Sequence, residues 1–200
     1  GGLVRGALHE VMPGEGAGPG AADGFATLLL ARIATALPAN QPVLWVGRSR
    51  DLYAPGLRAF GLDPSRLILA RTRNDTDTLW AVEDGLRCSA LAAVLGEVET
   101  ADFATSRRLQ LAAASSGVAA LLRRPGRTPL PASAAATRWR IAPSPGAEDS
   151  MELGPARWRV MLLRCRGGSP KTWHLEWDDA TGDLAVVAAP GDRPDRQDAA

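Results

Sequence analysis

Short apolar runs alternate with longer segments of helical periodicity over the first 125 residues, and this alternation constrains the fold more than any other feature. Runs of about five apolar residues suit strands buried on both faces, and the segments between them suit crossover helices. The pattern therefore predicts an α/β fold with a mainly parallel central sheet flanked by helices. The predicted strands span residues 8–12, 43–47, 67–71, 91–98 and 118–123.

Polar residues mark where three helices are expected to begin. Asp23 is a candidate cap for a helix that stops at Pro38, Asn74 or Asp75 for a second, and a third extends from about Asp102 to Ser115. Beyond residue 125 the segments TRWRIA, RWRVMLLRCR, KTWHLEWD and DLAVVA indicate C-terminal antiparallel strands. We predict a single domain over residues 1–188 and a disordered tail over 189–200, where apolar periodicity ends.

The cysteines and the hydropathy pattern limit the cellular setting. Cys88 and Cys165 lie far apart without a CxxC pair, so neither a disulfide scaffold nor a zinc site is expected. No run approaches the roughly 20 apolar residues of a membrane span, and no signal-peptide pattern is present. The sequence therefore predicts a cytoplasmic protein without a metal site and without a membrane partner.

A glycine-rich loop follows the first predicted strand, where α/β proteins often bind phosphate groups. Its glycines include Gly14, Gly16, Gly18 and Gly20, but no two glycines of the loop have the spacing of a P-loop. Lys171 is the single lysine among 23 basic residues and lies far from this loop. The sequence therefore excludes a standard P-loop ATPase, and we expect no cofactor. A dinucleotide fingerprint is formally permitted in one register, but no acidic residue ends the next strand.

Candidate catalytic groups are few. His9 lies inside the first predicted strand, and His174 is flanked by apolar residues, so neither is placed as a general base. Glu97 ends the fourth predicted strand, at the edge where α/β enzymes keep functional groups, although it could equally cap the next turn. We therefore predict no catalytic residue.

Charge is distributed unevenly along the chain. Residues 1–102 carry 9 basic and 12 acidic residues, residues 103–171 carry 12 and 3, and residues 172–200 carry 2 and 7. Residues 103–171, the basic block, could present a stripe that binds DNA phosphates or an acidic protein, or could form a merely solvated face. The candidate binding residues are Arg107, Arg108, Arg123, Arg124, Arg127, Arg138 and Arg140.

Several segments, taken in order, resemble the ImuA family, the RecA-like accessory proteins of bacterial mutagenic translesion cassettes. They include GGLVRGALHEV, VLWVGRSRDLYAPGLRAFGLDPSRLILAR, LWAVEDGLRCSALAAVLGEV and WRVMLLRCRGGSPKTWHLEWD. The resemblance extends to about residue 188 and implies a RecA-like core. Recombinases also carry a P-loop, a glutamate after the second strand and an aspartate ending the fourth. Here the P-loop spacing is absent, Gly47 and Arg48 follow the second strand, and Gly96 occupies the place of the aspartate.

The resemblance implies a non-catalytic adaptor in SOS-induced, error-prone translesion DNA synthesis. Its expected partners are an ImuB-like inactive Y-family polymerase homologue and, through it, an error-prone C-family polymerase, together with DNA or the RecA filament. Three alternatives stay open. They are a residual nucleotide-binding ATPase that uses Arg48 or Arg50 in place of lysine, a plain DNA-binding module, and a cell-division inhibitor of the SulA type.

Overall fold

The computed structural model describes residues 3–48, 52–126, 128–145, 154–178 and 180–189. The strands are β1 (Leu8–Pro13), β2 (Val43–Gly47), β3 (Leu67–Arg71), β4 (Ala93–Glu97), β5 (Ala119–Arg123), β6 (Thr137–Pro143), β7 (Arg157–Cys165), β8 (Lys171–Asp178) and β9 (Asp183–Val187). The helices are α1 (Gly20–Thr35), α2 (Ala54–Ala59), α3 (Asp75–Leu86) and α4 (Phe103–Ser116), with a short 3-10 helix at Pro64–Arg66. The strands form one sheet in the order β3-β2-β4-β5-β1-β6-β7-β8-β9.

The pairs among the first five strands, β1–β5, β2–β3, β2–β4 and β4–β5, are all parallel, as the alternating pattern predicts. The five strands predicted in the first half are all present, and their bounds lie within two residues of those predicted. Strands β1, β4 and β5 are buried almost throughout because helices cover both faces of this half. The mainly parallel sheet inferred from the sequence is therefore confirmed.

Strand β6 departs from the prediction that all the later strands are antiparallel. It pairs in parallel with β1, where Thr137 lies opposite His9, and only its other edge pairs antiparallel with β7. Apolar patterning reports how a strand is buried and not the direction of its neighbour, which is why the sequence did not reveal this pairing. Strands β7, β8 and β9 form the expected antiparallel meander, with turns at Gly167 (φ +79°) and Gly182 (φ +66°).

Two of the three predicted helix starts are confirmed by their caps. The Asn74 side chain accepts a bond from Asp77 N (2.9 Å), and Asp102 accepts one from Thr105 N (2.7 Å). Helix α1 instead begins at Gly20, without a side-chain cap, so Asp23 lies inside the first turn and can make other contacts. None of the helices in the described ranges is both long and apolar enough to cross a membrane.

A hydrophobic cluster fills each face of the sheet. Helix α1 packs on one face of the sheet. On the same face, Phe25, Phe60 and the β7 and β8 residues Trp158 and Trp177 pack together, with ring centroids 5.6–6.2 Å apart. Helices α3 and α4 cover the opposite face of the parallel strands. The carboxyl ends of β1, β2, β4 and β5 therefore lie between two helical layers, with the start of α1 beside them.

Candidate functional site

The glycine-rich loop connects β1 to α1 at the carboxyl edge of the sheet. Gly14 donates its N–H to Ile141 O (2.7 Å), and a Cβ there would lie 2.7 Å from the Ala142 side chain, so only glycine permits this approach. At Gly16, Gly18 and Gly20 an added Cβ would meet nothing within 4 Å. The loop is thus pinned to β6 at its first residue and is open beyond it.

The charged group within this loop is acidic and already paired. Glu15 accepts bonds from Arg140 Nη1 (2.9 Å) and from Thr128 Oγ1 (3.1 Å). Arg140 is the nearest arginine on the adjoining strand, and its charge is directed to Glu15 rather than to the loop N–H groups. Arg140 therefore does not offer this loop a free cation for phosphate groups.

A pocket of about 390 Å³ opens beside the first turns of α1. Its apolar walls come from β2, β3, α2 and the segments that flank α2: Trp45, Leu52, Tyr53, Leu57, Phe60 and Leu69. Four charged residues also line it: Asp23, Arg71, Glu97 and Arg123. The pocket therefore combines an apolar wall with a small ionic group, which is the usual character of a ligand site.

The ionic group is built around Arg123, at the end of β5. Its Nε lies 3.0 Å from Asp23 Oδ1, and its Nη2 lies 3.4 Å from Glu97 Oε2. The N–H of Nε is not aligned with the Asp23 oxygen, so this contact is ionic and leaves both atoms without a hydrogen bond. Trp45 Nε1 donates to Glu97 Oε1 (2.7 Å), which fixes the Glu97 carboxylate across the end of β2. A Cβ at Gly47 would lie 2.8 Å from that carboxylate, so a larger residue there would displace it.

Burial beside α1 raises the pKa of Asp23 above its usual range. The positive charge of Arg123 opposes this shift, and the negative charge of Glu97 adds to it.

Side-chain alternation changes the assignment at the end of β4. Gly96 faces α3, where an added Cβ would lie 2.5 Å from a Val82 methyl group. The next residue, Glu97, faces α1 and the pocket. The resemblance places the missing aspartate at Gly96, yet a carboxylate does reach the α1 side of this edge through Glu97. That carboxylate is held by Trp45 and Arg123, and no cluster suited to a metal ion occurs among the described residues.

Two of the predicted binding arginines are inside the protein, which corrects their assignment to a DNA or partner surface. Glu10 is 0% exposed and accepts bonds from Arg124 Nη1 (3.0 Å), Arg138 Nε (2.7 Å) and Ser133 Oγ (2.7 Å). Arg124 and Arg138 are only 5% and 7% exposed. Both guanidinium groups are drawn inward because a carboxylate in the middle of a buried strand needs compensating charge.

Of the remaining predicted arginines, those that the structure describes lie on α4, β5 and β6. Arg108 lies 3.3 Å from Glu83, while Arg123 and Arg140 make the ion pairs given above. Arg107 is exposed on α4 and forms no ion pair within the described ranges. Arg127 lies outside the described residues, as does Arg50, one of the two proposed substitutes for a P-loop lysine. Arg48, the other substitute, lies 3.7 Å from Asp75 and does not line the pocket.

The two histidines are placed as the sequence analysis expects. His9 is buried, with Nδ1 2.8 Å from Thr137 Oγ1 and Nε2 2.9 Å from Val4 O. Burial lowers the pKa of His9, and the bond to the Val4 carbonyl only partly opposes this. His174 is half-buried on the face of β8 opposite Trp173 and Trp177. Neither histidine lines the pocket.

Sequence reasoning identified Glu97 but missed its partners. Glu97 and Arg123 lie opposite each other in the register of β4 and β5, so opposite charges ending two predicted strands were a usable signal. The signal for Glu10 was a charged residue within an otherwise apolar strand. Nothing local indicated this role for Asp23, because it depends on α1 beginning four residues earlier than a cap at Asp23 would place it.

Solved structures with the same architecture define the class of protein. A RadB recombinase aligns with a TM-score of 0.63 and 15% identity over 94% of both chains. A KaiC-like protein of Pyrococcus horikoshii OT3 aligns with a TM-score of 0.59 and 15% identity, over 92% of this chain and 90% of that one. The chain therefore has a RecA-like α/β fold whose sheet ends in antiparallel strands.

Sequence comparison then gives the family. No family model matches the chain. It is 41% identical over 196 residues to the protein ImuA of two strains of Caulobacter vibrioides, across 90% of this chain and 78% of theirs. The chain belongs to the ImuA family.

Proposed function

We propose that this protein is a non-catalytic adaptor in SOS-induced, error-prone translesion DNA synthesis. It would link an ImuB-like inactive Y-family polymerase homologue, and with it an error-prone C-family polymerase, to DNA or to the RecA filament. Membership of the ImuA family supports a place in such a mutagenesis cassette. The expected cytoplasmic setting is part of the same proposal.

The observation that carries the non-catalytic role is the state of the charges at the carboxyl edge of the sheet. Arg123 and Arg140, which lie at this edge, are both directed to carboxylates, and one of those carboxylates belongs to the loop itself. A nucleoside triphosphate bound at this edge would bring several negative charges next to Glu15, Asp23 and Glu97. Charges of like sign repel strongly where water is partly excluded. The edge therefore disfavours the ligand on which recombinase chemistry depends.

Nucleotide binding and partner capture test the proposal together. We expect labelled ATP with Mg²⁺ to show no saturable binding up to roughly 1 mM. A dissociation constant of that size corresponds to a binding free energy of only about 4 kcal/mol, so even weak binding would be detected. We also expect the purified protein to capture an ImuB-like homologue in a pull-down. A P-loop recombinase serves as the positive control for nucleotide. Hydrolysis of ATP at recombinase-like rates, lost in Glu97→Gln, would overturn the non-catalytic role.

Direct DNA contact is a second candidate, supported by Arg107 on the exposed face of α4. Its guanidinium has no partner within the described ranges, unlike those of Arg124 and Arg138. Arg107→Glu should weaken binding of single-stranded DNA and lower the slope of log K against log[salt] by about 1. Arg58→Glu is the matched control, because Arg58 is exposed on α2 over the opposite face of the sheet. Equal losses in both variants would indicate non-specific charge effects and not a site at α4.

A further inference from the structure

We propose that the pocket beside α1 receives a guanidinium side chain, together with an adjoining apolar residue, from a protein partner. The inference rests on the proposed adaptor function only in assigning that side chain to a partner. The pocket itself is described by its 390 Å³ volume, its apolar walls and its ionic floor of Asp23, Glu97 and Arg123.

The floor carries more acid than base. Among the described residues Asp23 and Glu97 share a single guanidinium, so two carboxylates face one cation on the floor. Asp23 Oδ2 makes no bond to any residue in the described ranges, and its Oδ1 has only the misaligned contact with Arg123. Asp23 Oδ2 therefore offers an acceptor position to a charged donor that enters the pocket, whereas Oδ1 is buried against Arg123. Such a donor would also relieve the repulsion between the two carboxylates.

The walls suit the rest of an arginine side chain. Tyr53 is 71% exposed at the pocket and presents an aromatic ring on which a guanidinium or an aliphatic stem can stack. Leu57 and Phe60 lie deeper and belong to or pack on the cluster under α1, so they form a rigid apolar surface. A volume of 390 Å³ is at the small end of the range for ligand pockets, about the size for one long side chain and part of a neighbour.

Arg71 is the remaining charged residue of the pocket lining, and its positive charge could instead attract an anionic ligand. It belongs to the edge strand β3 and is exposed, whereas Glu97 and Arg123 are largely covered. An anion could meet Arg71 at the surface but would then face Asp23 and Glu97 further in. A cation with an apolar stem satisfies the interior of the pocket and leaves Arg71 in solvent.

The Trp45 indole provides a direct readout, because its N–H donates to Glu97 and will respond when that carboxylate is engaged. The ligand is the blocked dipeptide acetyl-Leu-Arg-amide, titrated to roughly 10 mM. Its citrulline analogue has nearly the same shape without the charge, and inorganic phosphate and ATP with Mg²⁺ are further arms. The Trp45 signal is assigned in a ¹⁵N correlation spectrum by its loss in Trp45→Phe.

We expect the arginine dipeptide to shift the Trp45 indole signal in a saturable way and the citrulline dipeptide to leave it unchanged. Asp23→Asn should weaken binding by about 10-fold or more, because a charge-assisted contact is lost. Asp84→Asn, which changes an exposed carboxylate on α3, is the matched control and should bind as the parent does. Gly20→Lys provides a second variant: an added side chain has open space there, and its ammonium would compete with the ligand.

The proposal is overturned if both dipeptides bind alike, if the arginine dipeptide gives no saturable shift, or if Asp23→Asn and Gly20→Lys both bind as the parent does. It is also overturned if Arg71→Gln abolishes binding while Asp23→Asn preserves it, since the ligand would then be held as an anion. A saturable response to ATP with Mg²⁺ would instead contradict the proposed non-catalytic function. Failure of the dipeptide with silence toward ATP would leave that function standing and remove only the guanidinium site.

Discussion

Replacing Glu10 with glutamine should destabilise the protein by several kcal/mol. The carboxylate is fully buried and accepts three bonds, from Arg124 (3.0 Å), Arg138 (2.7 Å) and Ser133 (2.7 Å). Each bond to a charged group contributes about 1.5–3 kcal/mol. The glutamine amide keeps only one acceptor oxygen, and that oxygen carries no formal charge. The two guanidinium groups would remain buried without a counterion. Breaking a buried pair in this way costs about 3–5 kcal/mol, a large share of the 5–15 kcal/mol typical of a domain.

Urea unfolding followed by tryptophan fluorescence measures this loss as a lower midpoint at an unchanged slope. Glu15→Gln is the control, because its bond to Arg140 is of similar length (2.9 Å) but the Glu15 side chain is 66% exposed. That change should cost less than about 1 kcal/mol. Replacing Glu10, Arg124 and Arg138 together by methionine should recover much of the loss, since no buried charge would then remain. A cost for Glu10→Gln no larger than that for Glu15→Gln would refute the reasoning.

Three further outcomes are expected. Folding raises the pKa of Asp23, so the stability linked to Asp23 is present in acid and is lost as pH rises through that pKa. The Asp23→Asn variant does not undergo this loss. In paired urea titrations it should therefore gain stability relative to the parent between acidic and neutral pH. Because the pKa of His9 is lowered, its contribution is present above about pH 6.5 and is lost as pH falls, so His9→Gln should flatten the acid side of the stability profile. Gly47→Ala should displace the Glu97 carboxylate and shift the Trp45 indole resonance, at a cost of about 1–3 kcal/mol. An unmoved pH profile in either of the first two variants, or an unmoved resonance in the third, would contradict the corresponding assignment.

The parallel half of the fold was predictable because its signals are local. Five apolar runs fall on β1 to β5, and Asn74 and Asp102 cap helices within a few residues of their own positions. Helix α2 was not predicted, because its six residues include a proline and a glycine that read as a turn. The parallel pairing of β6 with β1 was also not predicted. It depends on the path of the irregular segment between β5 and β6, which has no sequence signal of its own.

The site was only partly predictable because its contacts join distant parts of the chain. Glu10 is 114 residues from Arg124 and 128 from Arg138, and no window of sequence brings them together. Counting charges along the chain located the basic block but could not show which way its side chains face. Gly96 was assigned by its place in a motif, whereas the pleat of β4 decides that Glu97 faces the pocket.

Arginines of the basic block form ion pairs with acidic residues of the first half of the chain. Arg108, Arg123, Arg124, Arg138 and Arg140 all pair with acids from residues 1–102, namely Glu83, Asp23, Glu97, Glu10 and Glu15. Because β5 and β6 flank β1 in the sheet, arginines late in the sequence reach carboxylates of the first strand and of the loop and helix that follow it. Five of the twelve basic residues of the block are therefore engaged in pairs with these acids. Because Arg124 and Arg138 are buried, a DNA surface cannot use the whole block; its exposed arginines, which include Arg107, Arg159 and Arg166, and the pocket beside α1 are the described features that remain for partners.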